Sequence, residues 1–540
     1  MSVQPPTDQP AGSADPSGPG AGPAERAAGG PADAGAPPPE RPPRAPSLLD
    51  NWVSLAGMIV AASSFFAAVL LIAIDLLGGS QNPYMGILTY LVVPFFLVVG
   101  LVLMGVGALL ERRRRHRMRP GEVPRWPRLD LNVPRQRRNL VAVSVGTFLF
   151  LGLTALGSYR TYAFTESVTF CGKTCHTIMQ PEYTAYQESP HARVACVQCH
   201  IGPGAGWFVK SKLSGAYQVY ATLAHRYPRP VPAPIKNLRP AQETCEQCHW
   251  PRKFYGAAER VIHHYLPDER NTPWTVRLLV HIGGGDPTFG PSGGIHWHMN
   301  IANRIEYVAT DRERQVIPWI RVRDASGKVT VFQSTSNPLT PAQLAAARPR
   351  VMDCIDCHNR PTHIYQAPAT AVNLAMSTGG IDSTLPWIKR EAVAALAEAY
   401  PSADAARRGI ATRLTAFYDS AYGRSGTGTA SRVAAAVAAV QSIYAHNVFP
   451  AMKVDWRVYP DNLGHKDFPG CFRCHDGNHT SADGRTIPRD CTVCHTIIAE
   501  GAGPAAGTVA PGGLPFRHPV DIGAAWQMMR CSDCHHGTTP

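Results

Sequence analysis

The feature that most constrains this chain is a repeated cysteine–histidine spacing. All 14 cysteines fall into pairs: Cys171/Cys175, Cys196/Cys199, Cys245/Cys248, Cys354/Cys357, Cys471/Cys474, Cys491/Cys494 and Cys531/Cys534. Every pair runs directly into a histidine, giving His176, His200, His249, His358, His475, His495 and His535. Six of the seven read C-x-x-C-H, and the first reads C-x-x-x-C-H. Zinc ribbons, redox dithiols and disulfide scaffolds do not demand histidine after every second cysteine. C-x-x-C-H is the attachment signature of c-type haem. The spacing has a mechanical reason. Two thiols on one turn form thioethers to the porphyrin, and the next residue then lies under the iron as its proximal ligand. The chain is therefore expected to carry seven covalently bound c-type haems.

The first motif has one extra residue, Cys171-Gly172-Lys173-Thr174-Cys175-His176, with Met179 close behind. Either His176 or Met179 is a candidate axial ligand there, and sulfur ligation would raise the potential. Distal ligands must come from elsewhere. The candidates are His191, His264, His296, His298, His363, His465, His479 and His518. A histidine only a few residues after its own motif is poorly placed to reach the opposite porphyrin face. His363 and His479 are therefore expected to serve a neighbouring haem if they ligate at all. Each motif ends in histidine, so the lysine-ligated haem of nitrite-reducing multihaem enzymes is not expected.

The N-terminal third is of a different kind. Residues 1–46 hold 13 Pro, 10 Ala and 7 Gly, too little apolar bulk to offset ordering entropy, so residues 1–50 read as a disordered tail. Three uncharged stretches follow: Asn51–Ile74, Leu76–Leu110 (with a turn-like interruption) and Asn139–Ser158. Each is long enough for a membrane-spanning helix, and helices are expected near 52–75, 86–110 and 140–159. The loop 111–139 carries 11 Arg against three acids. The positive-inside rule keeps that loop and the N-terminus in the cytoplasm and sends everything after Ser158 to the periplasm. Haem attachment takes place on that same side. The net charge of +13 owes much to this loop and is not a nucleic-acid footprint.

The remaining 160–540 is lean for seven haems. Porphyrins are expected to fill much of its interior, giving a mainly α fold with little regular sheet. Short strands are expected at Arg304–Ala309, Val316–Val322 and Val329–Phe332, the last two joined by a turn at Asp324–Lys328. Val276–Val280 fits a strand or a turn of helix. Pro386–Tyr400, Ser402–Tyr418 and Ala430–His446 read as helices from Ala and Leu at helical spacing. The divisions are a three-helix anchor at 51–159, haems one to three at 160–260, a β-containing region with haem four at 261–365, a helical segment at 366–450, and a three-haem cluster at 451–540.

The segment Cys171–His200, with Met179-Gln180-Pro181-Glu182, Ser189-Pro190-His191 and Cys196-Val197-Gln198-Cys199-His200, resembles the NapC/NirT/NrfH family of membrane-anchored cytochromes c. The resemblance is specific over roughly 165–260. Gly294-Ile295-His296-Trp297-His298 and Phe472-Arg473-Cys474-His475-Asp476-Gly477 further resemble the longer heptahaem inner-membrane cytochromes of metal-respiring bacteria, the ImcH type. The resemblance implies a quinol dehydrogenase or electron-transfer cytochrome of anaerobic respiration, with its quinol site beside the first haem at the membrane surface. Lys210 and Lys212 resemble the family's quinol-site lysine, although Tyr217 and Gln218 stand where an acid is often found. Electrons would pass from the membrane quinol pool to periplasmic cytochromes or a reductase. The rival readings are a terminal reductase with one open haem site, and a haem relay subunit of a larger complex.

Overall fold

The computed structural model describes residues 47–78, 93–117, 131–174, 176–202, 205–235, 239–284, 293–423 and 426–539. The Pro-rich stretch 1–46, the centre of the basic loop (118–130), residues 86–92 of the second expected helix, and Cys175 lie outside the described residues.

The chain divides into two compact units, one of Met1–Ser63 with Phe96–Arg128 and one of Ser64–Phe95 with Leu129–Pro540. Two helices are long and apolar enough to cross a membrane: α1 (Trp52–Gly78) and α2 (Val93–His116). Small residues let their backbones approach closely within the first unit. A Cβ at Gly57 would overlap Met104 and Gly100, and one at Gly100 would overlap Ala61. Asn51 Nδ2 donates to Gly107 O at 3.1 Å, and Ser54 Oγ donates to Met104 O at 3.2 Å. Small-residue contact with short polar bonds is how helices associate where lipid removes the hydrophobic drive. The third expected crossing falls inside a longer helix, α3 (Pro134–Thr165).

In the larger part of the second unit, α3 is followed by α4 (His176–Gln187) and α5 (Ala205–Leu223). Two antiparallel sheets then form. The first is β1 (Ala257–Tyr265), β2 (Pro273–His281) and β8 (His495–Gly501), in the order β1-β2-β8. The second has the order β6-β3-β4-β5-β7, built from β3 (Arg304–Val308), β4 (Trp319–Arg323), β5 (Val329–Ser334), β6 (Arg350–Val351) and β7 (His479–Ser481). The Val276–Val280 ambiguity resolves as strand, inside β2. The β4–β5 turn forms because Asp324 Oδ1 accepts from Ser326 N and Lys328 N, while Gly327 adopts φ +83°. Strands β1, β7 and β8 carried no clear sequence signal. Two of these complete sheets with distant partners, and each of the two abuts a haem motif.

Helices α6 (Pro368–Ser377), α7 (Ile388–Ala397), α8 (Ala403–Tyr422) and α9 (Gly426–Asn447) build the largest apolar core. Ser402 caps α8 by accepting from Ala405 N, and Gly423 at φ +70° ends it. Val372, Ile388, Ile410, Leu414 and Val440 are fully buried there. The excursion closes on itself: Asn447 Oδ1 accepts from Gln366 N at 2.7 Å, and Tyr365 meets Phe449 at 5.9 Å between ring centres. Leu414→Ala removes a fully buried side chain from the α6–α9 core. It is expected to destabilise that core by about 2–5 kcal/mol, read as faster hydrogen exchange across α6–α9.

Candidate functional site: paired imidazoles along a line of thiols

The described motif cysteines are all free thiols, as thioether formation requires. The motifs lie on short turns, some of which the sequence caps locally. The turn Cys354–Cys357 starts at Asp353, which forms a capping box with Asp356. Asp490 caps the turn at Cys491 by accepting from Thr492 N. In the first motif a π-helical turn, Phe170–Thr174, accommodates the extra residue. Such one-residue expansions of a helix occur mostly as single turns at functional sites. Gly172 lies under the ring of Tyr183, where any Cβ would collide. The side chain of His176 lies outside the described residues, and Met179 is half-buried on the first turn of α4.

The thiols are not all interior. Cys248 and Cys534, the second cysteines of the third and seventh motifs, are exposed, and so is Cys491. The reason is the position of their turns. Cys248 N donates to Cys245 O at 3.1 Å in a turn whose neighbours Glu246, Gln247 and Trp250 also face solvent. Cys534 N donates to Cys531 O at 3.1 Å, between exposed Asp533 and exposed His536, and Cys534 O accepts from Thr539 Oγ1. Their partners Cys245 and Cys531 are half-buried. These two turns therefore lie at the protein surface with one thiol turned inward and the other open. A thioether needs no burial, so Cys248 and Cys534 keep the spacing that attachment requires without the enclosure.

Each of the other six motif histidines faces a second imidazole. A metal–imidazole bond is about 2 Å, so two rings on opposite sides of one metal have centres about 6.2 Å apart. The observed separations are 6.3 Å for His200–His363, 6.1 Å for His191–His249 and 6.4 Å for His296–His358. They are 5.9 Å for His298–His475, 6.2 Å for His465–His495 and 6.1 Å for His518–His535. The pairs do not gather into cages: among the described residues no group of three or more His, Cys, Asp or Glu is placed to hold a metal ion. Residues and spacing thus fit an iron porphyrin held from both faces.

In five of these rings the second nitrogen is engaged by a backbone carbonyl, whereas the Nδ1 atoms of His465, His495 and His535 are buried without a partner among the described residues. The Nδ1 of His296, His298, His363, His475 and His518 lies 2.7–3.1 Å from the carbonyl of Ile282, Ile295, Glu182, Pro488 and Val520 respectively. A carbonyl only accepts, so Nδ1 carries the proton and Nε2 is left bare for metal. Burial lowers the pKa of His200, His296, His298, His358, His465, His495 and His535. For His363, burial, Arg360 and His200 together push it down to about 3. These rings are neutral, the form that binds metal.

Six of the eight distal candidates are therefore paired, and two are not. His264, on β1, is held by burial and by nearby Lys466 and Lys389 at a pKa of about 4, and its Nδ1 sits 3.4 Å from Asn373 Nδ2. His479 has both nitrogens occupied, Nδ1 by Asp476 Oδ1 at 2.8 Å and Nε2 by Ile317 O at 2.7 Å. His296 and His298 lie two apart on one short turn and face partners from different motifs.

The thiols also reveal an order. Those of Cys171 and Cys196 are hydrogen-bonding neighbours, as are those of Cys245 and Cys354. Cys199 lies within electrostatic range of Cys245 and Cys248, Cys357 of Cys471, Cys494 of Cys471, and Cys531 of Cys491. Every motif thus adjoins the next in sequence. Arginines brace these steps. Arg239 donates to Gln198 O and Glu243 O, joining the second and third motifs. Arg473 donates to Asp356 O at 2.6 Å, joining the fourth and fifth. Asp356 itself, 2% exposed, accepts from Tyr307 Oη, Arg314 Nη1 and Arg350 Nε at 2.7, 2.8 and 3.0 Å. The sequence reading missed this carboxylate, whose one signal was an acid inside a haem motif.

Lys210 and Lys212 part company. The ammonium of Lys210 stacks 5.1 Å over the Trp207 ring. Lys212 Nζ donates to Glu166 Oε1 at 2.6 Å and to Thr165 Oγ1 at 3.3 Å. Glu166 is nearly buried, and its Oε2 has no hydrogen-bond partner among the described residues. The carboxylate that meets Lys212 thus comes from before it in the chain, one residue past the end of α3.

Paired imidazoles, free thiols in C-x-x-C-H turns and apolar helices define a membrane-anchored multihaem cytochrome c. The family model described as "NapC/NirT cytochrome c family, N-terminal region" matches residues 133–230. The chain is 44% identical over 488 residues to the cytochrome c-type protein ImcH of Geobacter sulfurreducens, covering 90% of this chain and 95% of that one. It is 30% identical over 128 residues to the cytochrome c-type protein TorC of Escherichia coli, covering 20% of this chain and 32% of that one. The chain belongs to the NapC/NirT family of c-type cytochromes and is an ImcH-like electron-transfer protein with covalent haem. No solved structure matches it.

Two outcomes follow from the bracing groups. Asp356→Ala strands Arg314, Arg350 and Tyr307 and is expected to cost about 3 kcal/mol, seen as a lower denaturant midpoint. At His479, burial pulls the pKa down, but the bonds to Asp476 and Ile317 O outweigh it and hold it above the ordinary value. A raised folded pKa stabilises below the unfolded value of about 6.5 and stops doing so as pH rises through the folded value. His479→Gln is therefore expected to lower the thermal midpoint more at acidic than at mildly alkaline pH, a difference that isolates His479 from the buried histidines whose lowered pKa acts in the opposite sense.

Proposed function

We propose that this protein is an inner-membrane heptahaem cytochrome c that oxidises quinol and relays electrons to a periplasmic acceptor, a cytochrome or a reductase, in anaerobic respiration. The observation that carries this reading is the set of six facing imidazole pairs. In it, His200/His363, His249/His191, His358/His296, His475/His298, His495/His465 and His535/His518 each hold one iron. His176 and Met179 are the candidates for the first. All fourteen motif cysteines form thioethers, the exposed Cys248 and Cys534 among them. Each haem, when bound, supplies a one-electron iron couple whose potential the ligands and burial set. Closed pairs leave the six described proximal histidines no open coordination position, which supports a relay over a reductase. The succession of neighbouring thiols supports a single-file route.

In this reading α3 makes the third crossing. The N-terminus and the loop 111–139 stay in the cytoplasm, and the haem-bearing part lies in the periplasm. Quinol approaches from the bilayer near the first motif. The Lys212 ammonium orients a quinol oxygen by donating to it. The Glu166 carboxylate, pinned by Lys212 through Oε1, takes the proton on Oε2 and passes it outward.

The test is quinol-driven reduction of the purified full-length protein. The wild type is expected to be reduced by a menaquinol analogue and to hold seven covalent haems by a pyridine haemochromogen assay. Glu166→Gln should slow quinol-driven reduction about 10²-fold while dithionite still reduces every haem. No reduction by any quinol would overturn the reading. Separately, His296→Ala is expected to convert one low-spin haem to high-spin in the electron paramagnetic resonance spectrum without changing the haem count.

A further inference from the structure

Helix α5 leaves an apolar stripe uncovered. At about 100° per residue, Val209, Leu213, Ala216, Tyr217, Tyr220 and Leu223 share one side of the helix. All are exposed, with Leu213 at 69%, Tyr217 at 66% and Leu223 at 76%. Ser211, Ser214, Gln218 and Thr222 occupy the opposite side. A surface helix ordinarily turns its apolar stripe to the core. This stripe is about 21 Å long at 1.5 Å per residue, longer than the edge of one porphyrin. Lys210 and Lys212 flank it on either side.

A second observation fixes what covers it. The bonds from Lys212 to Thr165 and Glu166 tie the start of α5 to the last residue of α3 and the one after it. Helix α3 contains the uncharged stretch Asn139–Ser158. We propose that α5 lies in the plane of the outer bilayer surface with its stripe among the lipid head groups and upper acyl chains. The haem-bearing part is then seated on the membrane as well as tethered to it. Apolar residues on one face, tyrosines at head-group depth and a lysine, Lys210, at the margin within reach of lipid phosphate are the chemistry of an interfacial helix. The inference rests on the reading that α3 crosses the bilayer.

The experiment uses the full-length haem-loaded protein in nanodiscs of phosphatidylethanolamine and phosphatidylglycerol carrying a trace of diazirine-acyl phospholipid. After illumination and proteolysis, lipid adducts are mapped by mass spectrometry. The expected result is adducts on α3 and on residues 209–223. Leu213→Glu combined with Tyr217→Glu should lower the α5 adducts about tenfold and leave those on α3 unchanged. Ser214→Glu, on the opposite side, should label like the wild type, and an unaltered haem spectrum shows that each variant has folded. Labelled α3 with unlabelled α5, or a protein–protein crosslink from α5 in place of lipid, would overturn the inference while leaving the third crossing intact. Absence of label from α3 would instead remove the crossing on which it rests.

Discussion

Two imidazoles brought face to face about 6 Å apart, six times over, is the constraint on which the rest of this structure depends. A proximal histidine is placed by the cysteine beside it and needs no help from the fold. Its partner must be delivered from elsewhere to a ring-centre distance near 6 Å. The delivery routes explain otherwise arbitrary features. The loop after the fourth motif carries His363 back to His200, the segment before the second carries His191 forward to His249, and one short turn offers His296 and His298 to two motifs at once. The sheets serve the same end. Strand β8 starts at His495, and His281 N donates to Cys494 O at 2.9 Å, so the pairing of β2 with β8 sets the position of the sixth motif.

Where no cofactor fills the interior, the chain uses ordinary means. The α6–α9 excursion carries no haem motif and has the largest conventional core. It returns the chain almost to its point of departure, so the fourth motif and the approach to the fifth share the cluster of Tyr365, Phe449, Trp456 and Tyr459. Buried charge provides the remaining rigidity. Arg473 and Asp356, each drawn from inside a haem motif, bind the two motifs to one another. The fourth and fifth motif turns thereby gain a fixed relation to one another.

At the membrane end, the same logic of close approach appears in a different solvent. Gly57, Gly100 and Gly107 let α1 and α2 meet backbone to backbone, as lipid-exposed helices must. Across in the haem-bearing unit, Lys212 joins the end of α3 to α5. The acid that pairs with Lys212 lies before it in the chain, because a helix end and a later helix meet in space.

The sequence by itself determined the covalent chemistry. Thiol spacing and the adjoining histidine are local, so the class of cofactor, the histidine candidates beside each pair and the odd first motif could be read directly. Uncharged runs were equally legible, since length and polarity decide whether a helix suits lipid. The helices within 368–447 were legible from apolar spacing. Only the tertiary structure decided which distal imidazole meets which proximal one, since iron accepts a ligand from any point in the chain. It separated His264 and His479 from the six that pair, because their ring nitrogens meet Asn373, Asp476 and Ile317 O. It turned Cys248 and Cys534 to the surface, since a motif fixes the spacing of two thiols and says nothing of how deep their turn lies. It also made strands of β7 and β8, whose hydrogen bonds come from partners more than a hundred residues away, a distance over which no local pattern can speak.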